Sequence, residues 1–380
     1  MLRSKRAVLV PLLLSLAVVG CTSTSSSPSP SSSEEASASA SASASASESA
    51  SASESPTAEL TPAATPAAPP TPAPIISGEY LLVSQAFTVG EDLYQPQLWV
   101  IRPTGTGARK IAEGQAHGPL SPPNYNLDGV WSHDGSMVHV MKGCDSRLSN
   151  IAVHSWVETP VVNMGNKAAE FVWSPDDTKV AYFNYTNVQA LICMQGTIPT
   201  THDLMVMNAD GSARTVVLHN TDWYPYSWPG ASSVLLRDNP GWALMSIPGG
   251  AVTSLGISGW PAALSPDGAS VAYISSGHLK VRAVTGGPVS DYGPGKDFAW
   301  SPDGESIAVT GTTLRVVTVA TAASTTLYAH PTSLPTWSPD SMRVAFVKDH
   351  TDIYVQSITA ASPKLVASGD EYIGDMQWQP

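Results

Sequence analysis

Hydrophobic and polar positions alternate in short runs over most of the chain, from about residue 79 to its end. Typical runs are Ser270–Ile274 and Leu279–Ala283, in which apolar side chains take every second position or a brief continuous stretch. Runs of about four to eight residues with this pattern, separated by Gly, Pro, Asp and Ser, are typical of β-strands. The pattern predicts an all-β fold of short antiparallel strands.

The strands repeat as a unit. In the segment FAWSPDGESIAV from Phe298, an apolar strand ends in tryptophan and leads through a Ser-Pro-Asp-Gly turn into a second strand; a third strand, Leu314–Val319, and a fourth follow. Equivalent first strands recur about every 40 residues. They end at Trp131, Trp173, Trp228, Leu264, Trp300, Trp337 and Trp378. A period of this length, built from four short strands, predicts a β-propeller.

The two ends of the repeat region complement each other. The last tryptophan strand, Met376–Trp378, ends the chain without partner strands, whereas Tyr80–Ser84, Gln97–Arg102 and Arg109–Ala112 have no tryptophan strand before them. We therefore expect the N- and C-terminal strands to share one blade and to close a ring. The prediction is seven four-stranded blades, with six or eight as the alternatives.

The WSPDG-type segments resemble the repeat of the TolB-like propeller family over residues 79 to 380. The resemblance implies the fold and says little about activity, because the same repeat occurs in periplasmic scaffolds, in propellers of serine peptidases and in some polysaccharide-degrading proteins. The sequence departs from the pattern at Trp228-Pro229-Gly230, and at the turn glycine, where Asp177 and Ser341 stand. The sequence does not determine the local blade geometry at these positions.

Two residue types that recur in the repeats could bind a metal ion or a ligand, but they fit a structural role better. The turn aspartates could be taken for metal ligands, yet each sits at the same hairpin corner of a different blade, where Asp bonds nearby backbone amides. They are Asp134, Asp176, Asp267, Asp303 and Asp340. The repeated tryptophans likewise recur at one structural position, which favours packing between blades over ligand binding.

The first 74 residues predict export and anchoring. Arg3, Lys5 and Arg6 precede an uncharged apolar run, 7–19, which is too short to span a bilayer and is typical of a signal peptide. Val18-Val19-Gly20-Cys21 resembles the bacterial lipobox, which implies loss of residues 1–20 and acylation of Cys21. Residues 21–74, rich in Ser, Ala and Pro, predict a disordered tether, and 75–380 form the propeller domain.

The net charge of the chain limits the classes of partner that it can bind. The chain carries a formal net charge of -12 at pH 7, which disfavours binding to nucleic acid or directly to anionic lipid headgroups. The sequence therefore predicts a monomer held on the extracytoplasmic face of the cell membrane by its lipid alone, in contact with an envelope protein or a cell-wall component.

Catalytic motifs are missing from the sequence. It holds no G-x-S-x-G, H-E-x-x-H, P-loop or C-x-x-C, and no appended hydrolase domain follows the last repeat. The histidines are scattered, although His117, His278, His330 and His350 could converge in space. We predict no catalytic residue, no metal and no cofactor, hence no enzyme. The alternatives are a carbohydrate- or peptide-binding sensor and a metal-assisted lyase or hydrolase.

The leading functional hypothesis is a non-catalytic envelope lipoprotein that binds its partner on one propeller face. That face is formed by the loops between strands two and three and by the blade-to-blade connections, including Gly114–Asp128. It carries aromatic residues outside the repeat pattern, which are favoured binding hot spots. They are Trp223, Tyr224, Tyr226, Trp242 and Trp260. The two cysteines left after acylation, Cys144 and Cys193, predict a disulfide in an exported protein.

Overall fold

The computed structural model describes residues 79–90, 93–114, 127–143, 146–165, 168–185, 202–230, 232–238 and 241–380. In these ranges the regular structure consists of β-strands, numbered β1 to β28 along the chain. None of the described residues form a helix able to cross a membrane.

The strands form seven antiparallel sheets of four strands each. Blade 1 comprises β1 (Leu81–Gly90), β2 (Leu93–Ile101), β3 (Arg109–Glu113) and the last strand, β28 (Tyr372–Trp378); blade 2 comprises β4 (Leu127–Trp131), β5 (Met137–Lys142), β6 (Arg147–Ala152) and β7 (Val157–Asn163); blade 3 comprises β8 (Ala168–Trp173), β9 (Lys179–Tyr185), β10 (His202–Asn208) and β11 (Thr215–Thr221); blade 4 comprises β12 (Tyr224–Gly230), β13 (Ser233–Arg237), β14 (Gly241–Ser246) and β15 (Val252–Ser258).

The remaining three blades follow the same order. Blade 5 comprises β16 (Ala262–Leu264), β17 (Ser270–Ser275), β18 (His278–Ala283) and β19 (Ser290–Pro294); blade 6 comprises β20 (Asp297–Trp300), β21 (Ser306–Thr310), β22 (Leu314–Thr318) and β23 (Ser324–Tyr328); blade 7 comprises β24 (Ser333–Trp337), β25 (Arg343–Lys348), β26 (Asp352–Ser357) and β27 (Lys364–Ala367).

The predicted seven-bladed propeller and its shared blade are confirmed. β28 pairs antiparallel with β1, from Leu81 opposite Trp378 to Ala86 opposite Tyr372, so blade 1 has the order β28-β1-β2-β3. In every other blade the first strand in sequence lies at one end of the sheet. These first strands, together with β28, surround the central channel.

The hydrophobic core lies between the blades. Seven clusters of buried side chains each join two neighbouring sheets, and together they run around the whole ring. The second strands are covered on both faces, so that Val271 to Ile274 in β17 are all buried. Outer strands such as β7 are largely exposed. Burial thus decreases from the second strand to the outer strand of a blade, which explains why the sequences of the second strands are continuous apolar runs.

The repeated tryptophans fasten each blade to the one before it, as predicted. The Trp337 indole Nε1–H donates to the carbonyl oxygen of Ala299 at 3.0 Å, across the boundary between blades 7 and 6. Trp131 makes the equivalent contact with Gln377 at 3.4 Å, which carries the pattern over the closing blade. Trp300 bonds in the same way to Ala263 at 3.4 Å, whereas the buried Nε1 of Trp228 has no hydrogen-bond partner among the described atoms. Where the bond forms, packing and hydrogen bonding together fix the angle between neighbouring blades.

The turn aspartates have the structural role that the sequence predicts. Asp303 accepts hydrogen bonds at one carboxylate oxygen from the Ser301 hydroxyl at 2.6 Å and from the Glu305 N–H at 2.9 Å. Gly304 follows with φ 73°. In the same turn of blade 3, the hydrogen bond from the Ser174 hydroxyl lowers the pKa of Asp176 to about 2. The carboxylates stabilise turns.

The two substitutions of the turn glycine keep the turn and add contacts between blades. Asp177 and Ser341 adopt φ of 54° and 56°, the left-handed conformation that glycine takes elsewhere. The Asp177 carboxylate accepts from the His133 N–H of the preceding blade at 2.8 Å. The Ser341 hydroxyl accepts from the Asp303 N–H at 3.2 Å. These bonds across blades offset the conformational cost of a side chain at this position.

Gln379 connects the two ends of the chain and was missed by the sequence reading. Its side chain is 0 % exposed. The amide oxygen accepts from the N–H groups of Glu79 and Tyr80 at 3.0 and 3.2 Å, while Nε2 donates to the Gly135 carbonyl of blade 2 at 2.8 Å. One residue therefore joins the C-terminal strand to the N-terminal strand and to the neighbouring blade.

Candidate functional site

One end of the central channel combines aromatic and acidic side chains. The innermost strands all begin at this end, where the blade-to-blade connections and the loops between second and third strands also lie. We call it the channel mouth. The Ser-Pro-Asp-Gly corners lie at the opposite end, because they follow the innermost strands.

Three of the predicted aromatic residues form one stack at the mouth. Trp242, at the start of β14, is 2 % exposed, and its Nε1–H donates to the Gly259 carbonyl at 2.9 Å. Trp260 stacks on it with ring centroids 5.7 Å apart and rings inclined by 21°, yet remains 57 % exposed. Tyr226 contacts both rings edge-on, at 4.8 and 5.2 Å. The exposed indole thus rests on a fixed aromatic base.

Arg237, at the end of β13, extends this group. Its guanidinium carbon lies 5.2 Å from the ring centroid of Tyr224 and 5.5 Å from that of Trp260, within the range of cation–π attraction. Nη2 donates to a carboxylate oxygen of Glu170 at 3.4 Å. The sequence reading missed this arginine, because no motif surrounds it.

The structure separates the five aromatic candidates by burial. Trp260 is exposed, whereas Trp223, Tyr224 and Tyr226 are half-buried. Trp223 packs against the cluster between blades 3 and 4. Trp242 lies in the core rather than on a ligand-contacting surface, because its indole fills the space under Trp260 and satisfies a backbone carbonyl. Its role at the mouth is to support Trp260.

Acidic residues line the same mouth from four blades. Asp128, Glu170, Asp297 and Asp375 each stand three residues before the tryptophan of an innermost strand. Desolvation is the main cause that raises the pKa of Asp128 and of Asp297; the charge of Asp375 raises both further, and that of Glu170 adds to the shift at Asp128. Their charges therefore act on one another across the ring. Asp128 and Asp297 also accept hydrogen bonds from the backbone N–H of the next residue, both at 2.8 Å.

The pKa values of three of these carboxyl groups, Asp128, Glu170 and Asp297, are raised. Desolvation within the ring of blades, with repulsion from Asp375 second, raises the pKa of Asp128 to about 6. Burial also raises the pKa values of Glu170 and Asp297, and the Arg237 guanidinium opposes the shift at Glu170. Burial, followed by the charge of Asp297, raises the pKa of Tyr226 to about 12. The mouth thus concentrates acidic groups within the channel, where Asp128 and Glu170 remain in contact with its solvent.

The pKa shift at Asp128 predicts a pH-dependent gain from its replacement. A carboxyl group whose pKa is higher in the folded state destabilises the fold once pH exceeds that of the unfolded chain, near 3.8, and fully above about 6. The shift alone would correspond to roughly 3 kcal/mol, but the side chain contacts channel solvent, so screening reduces it to about 1 kcal/mol. Asp128→Asn should therefore stabilise the protein more at pH 7.5 than at pH 4.

Urea unfolding at both pH values measures this difference. Asp210→Asn is the control of opposite sign, because hydrogen bonds from Ser212 lower the pKa of Asp210 and its loss should cost more at pH 7.5. An effect of Asp128→Asn that does not change with pH would contradict the assignment of Asp128 to a poorly solvated channel mouth.

Several sequence predictions fall outside the described residues. Cys21, Cys144 and Cys193 lie there, as do His117 and most of the connection Gly114–Asp128, so acylation and the disulfide stay predictions. The other three histidines make separate contacts. His278 bonds to Asp291, His330 packs on Tyr328 and His350 stacks on Tyr372. Among the side chains that the structure describes, no three His, Cys, Asp or Glu are grouped to hold a metal ion.

Comparison with known proteins identifies the fold. No protein-family model and no curated protein sequence matches the chain. The solved structures that resemble it include an oligogalacturonate lyase in complex with manganese, at 13 % identity and a TM-score of 0.51, covering 75 % of this chain and 89 % of the lyase. An oligogalacturonate lyase from Vibrio parahaemolyticus has 14 % identity and a TM-score of 0.51, with 79 % and 92 % covered. TolB from Acinetobacter baumannii has 15 % identity and a TM-score of 0.43, with 82 % and 88 % covered.

The comparison overturns the prediction that this chain is not an enzyme. That prediction was wrong because it relied on the absence of contiguous catalytic motifs from the sequence. Two of the similar structures are lyases with most of their length in the shared propeller fold. A propeller can assemble reactive side chains from several blades at its channel, where no local motif records them. The likeness itself shows the fold alone.

Proposed function

We propose that this protein is a lipid-anchored TolB-like propeller of the cell envelope whose channel mouth binds a protein partner. The WSPDG-type repeats support the TolB-like assignment, and the signal, the lipobox-like cysteine and the Ser/Ala-rich tether support export and anchoring. The tether would hold the domain away from the membrane, which leaves its faces accessible to other envelope components.

The exposed side chain of Trp260 is the main reason for placing the partner at the channel mouth rather than at the opposite end of the ring. It is the largest of the exposed apolar side chains in the described structure, at 57 %, and its ring is held by Trp242 and Tyr226. A rigid aromatic side chain loses little conformational entropy on contact, which is why tryptophan is enriched among interface hot spots. The opposite end of the ring consists largely of tight turns, where the exposed apolar side chains of the described structure include Met342 but no tryptophan.

Crosslinking from the two ends of the ring tests the proposal. A photoreactive amino acid that keeps an aromatic ring, p-benzoylphenylalanine, replaces Trp260 at the mouth or Glu305 at a corner, in the full-length protein in its native envelope. We expect position 260 to capture a partner protein and position 305 to capture none. Capture from position 305 alone would overturn the choice of face. In the same cells, a Cys21→Ser chain should leave the membrane fraction, and one that stays and takes up labelled fatty acid would contradict the lipid anchor.

Acid–base catalysis at the mouth is a second candidate function, favoured by the pKa of about 6 at Asp128. A carboxyl group with this pKa can donate or accept a proton near neutral pH. Because propellers of this fold include oligogalacturonate lyases, oligogalacturonate is the first substrate to test, by the absorbance of an unsaturated product. Turnover that Asp128→Asn loses would assign catalysis; no turnover by the wild type would remove this substrate.

A further inference from the structure

The guanidinium of Arg237 occupies a seat made of two aromatic faces and a carboxylate. Tyr224 and Trp260 lie within 5.5 Å of the guanidinium carbon, measured to their ring centroids, and Glu170 lies on its Nη2 side. Aromatic faces combined with a carboxylate are the usual surroundings of a bound cation in proteins. The chain itself therefore shows which chemical group this seat accepts.

Arg237 is held loosely in that seat. Its hydrogen bond to Glu170 measures 3.4 Å, well beyond the roughly 2.7 to 2.9 Å of a strong charge-assisted bond. Its Nε is buried and has no hydrogen-bond partner among the described atoms. The side chain is still 34 % exposed. A buried donor without a partner costs free energy, so little opposes rotation of this side chain into solvent.

The surrounding charge exceeds what Arg237 can neutralise. Within the described part of the chain, no ion pair joins Asp128, Asp297 or Asp375 to a lysine or an arginine. Of the four acidic residues that line the mouth, Glu170 is the one joined to an arginine in the described structure. Negative potential in a partly enclosed channel attracts cations and accelerates their binding. Because these groups come from four blades, they suit a ligand whose positive charges are spread along a chain.

We propose that the Arg237 seat is a binding subsite for an arginine or lysine side chain of the partner, and that Arg237 is the intramolecular occupant that the partner displaces. The proposal rests on the proposed function and specifies its partner as a protein with an exposed basic segment. Trp260 would then contact the partner directly and stack on its cationic group. The aromatic rings and Glu170 would then contact the cationic group of the partner instead of the Arg237 guanidinium.

Binding of a fluorescein-labelled hexa-arginine peptide to the full-length protein tests the proposal, measured by fluorescence anisotropy at low salt. Arg237→Gln removes the occupant and should lower the Kd by roughly threefold, the scale of one exposed cation–π contact. Arg343→Gln is the matched control. It removes the same charge from another arginine that lies over a tryptophan, Trp378 at 5.1 Å, and should leave the Kd unchanged. Tyr224→Leu keeps the charge, removes an aromatic face and should weaken binding.

The outcomes separate this inference from the proposed function. Unchanged or weaker peptide binding by Arg237→Gln, or no binding by the wild type, would overturn the subsite, while capture of a partner from position 260 would still stand. If Arg237→Gln lowered the Kd but Tyr224→Leu left it unchanged, the effect of Arg237→Gln would come from charge alone. That result would also contradict an aromatic subsite.

Discussion

Deletion of Tyr372–Pro380 is expected to unfold the propeller or to lower its free energy of unfolding by more than about 5 kcal/mol. The deletion removes β28, the innermost strand of blade 1, with the buried side chains of Ile373, Met376 and Trp378. Blade 1 would keep three strands, and the cluster that joins it to blade 7 would open to water. Thermal and urea unfolding of the truncated chain measure the loss, and a normal melting curve would contradict ring closure.

A single substitution isolates the contribution of Gln379. Gln379→Ala leaves the N–H groups of Glu79 and Tyr80 and the carbonyl of Gly135 without their partner, which should cost about 3 kcal/mol. Tyr372→Ala is the matched control, because this side chain of β28 is 53 % exposed and its removal should cost less than about 1 kcal/mol. Equal effects of the two changes would show that Gln379 does not join the termini.

Trp242→Ala should have the second largest effect, a loss of about 3 to 5 kcal/mol in the free energy of unfolding. The indole is buried between blades 4 and 5, supports Trp260 and donates to the Gly259 carbonyl. Its removal leaves a cavity and an unpaired carbonyl. Val289→Ala serves as control, since that side chain is 47 % exposed and should be nearly neutral. A melting temperature of Trp242→Ala equal to wild type would contradict its place in the core.

The sequence predicted the fold well because each blade repeats the same local chemistry. Alternating strands, the Ser-Pro-Asp-Gly turn and the tryptophan recur at one spacing, and the incomplete blades at the two ends match each other. Even the departures at Asp177 and Ser341 preserve the turn, because polar side chains there gain a hydrogen bond to the preceding blade. Because the same strand pattern, turn and tryptophan recur in several blades, each copy supports the assignment of the others.

The candidate site was harder to predict, because its residues come from different blades. One signal was available: aligning the repeats on their tryptophans places an acidic residue three positions earlier in four of seven copies, Asp128, Glu170, Asp297 and Asp375. Gln379 likewise follows its tryptophan at a position where five of the other six copies have serine. Arg237 offered no such signal, and whether Trp242 or Trp260 is exposed depends on packing between blades, which sequence spacing does not record.

Partner capture by Trp260→Ala tests directly whether the channel mouth binds a partner through an exposed indole on a rigid base. The full-length variant and the wild type are crosslinked in the native envelope, and their melting temperatures are compared. We expect capture to be lost while the melting temperature stays within a few degrees of wild type. Capture equal to wild type by a normally folded Trp260→Ala protein would contradict this mode of binding.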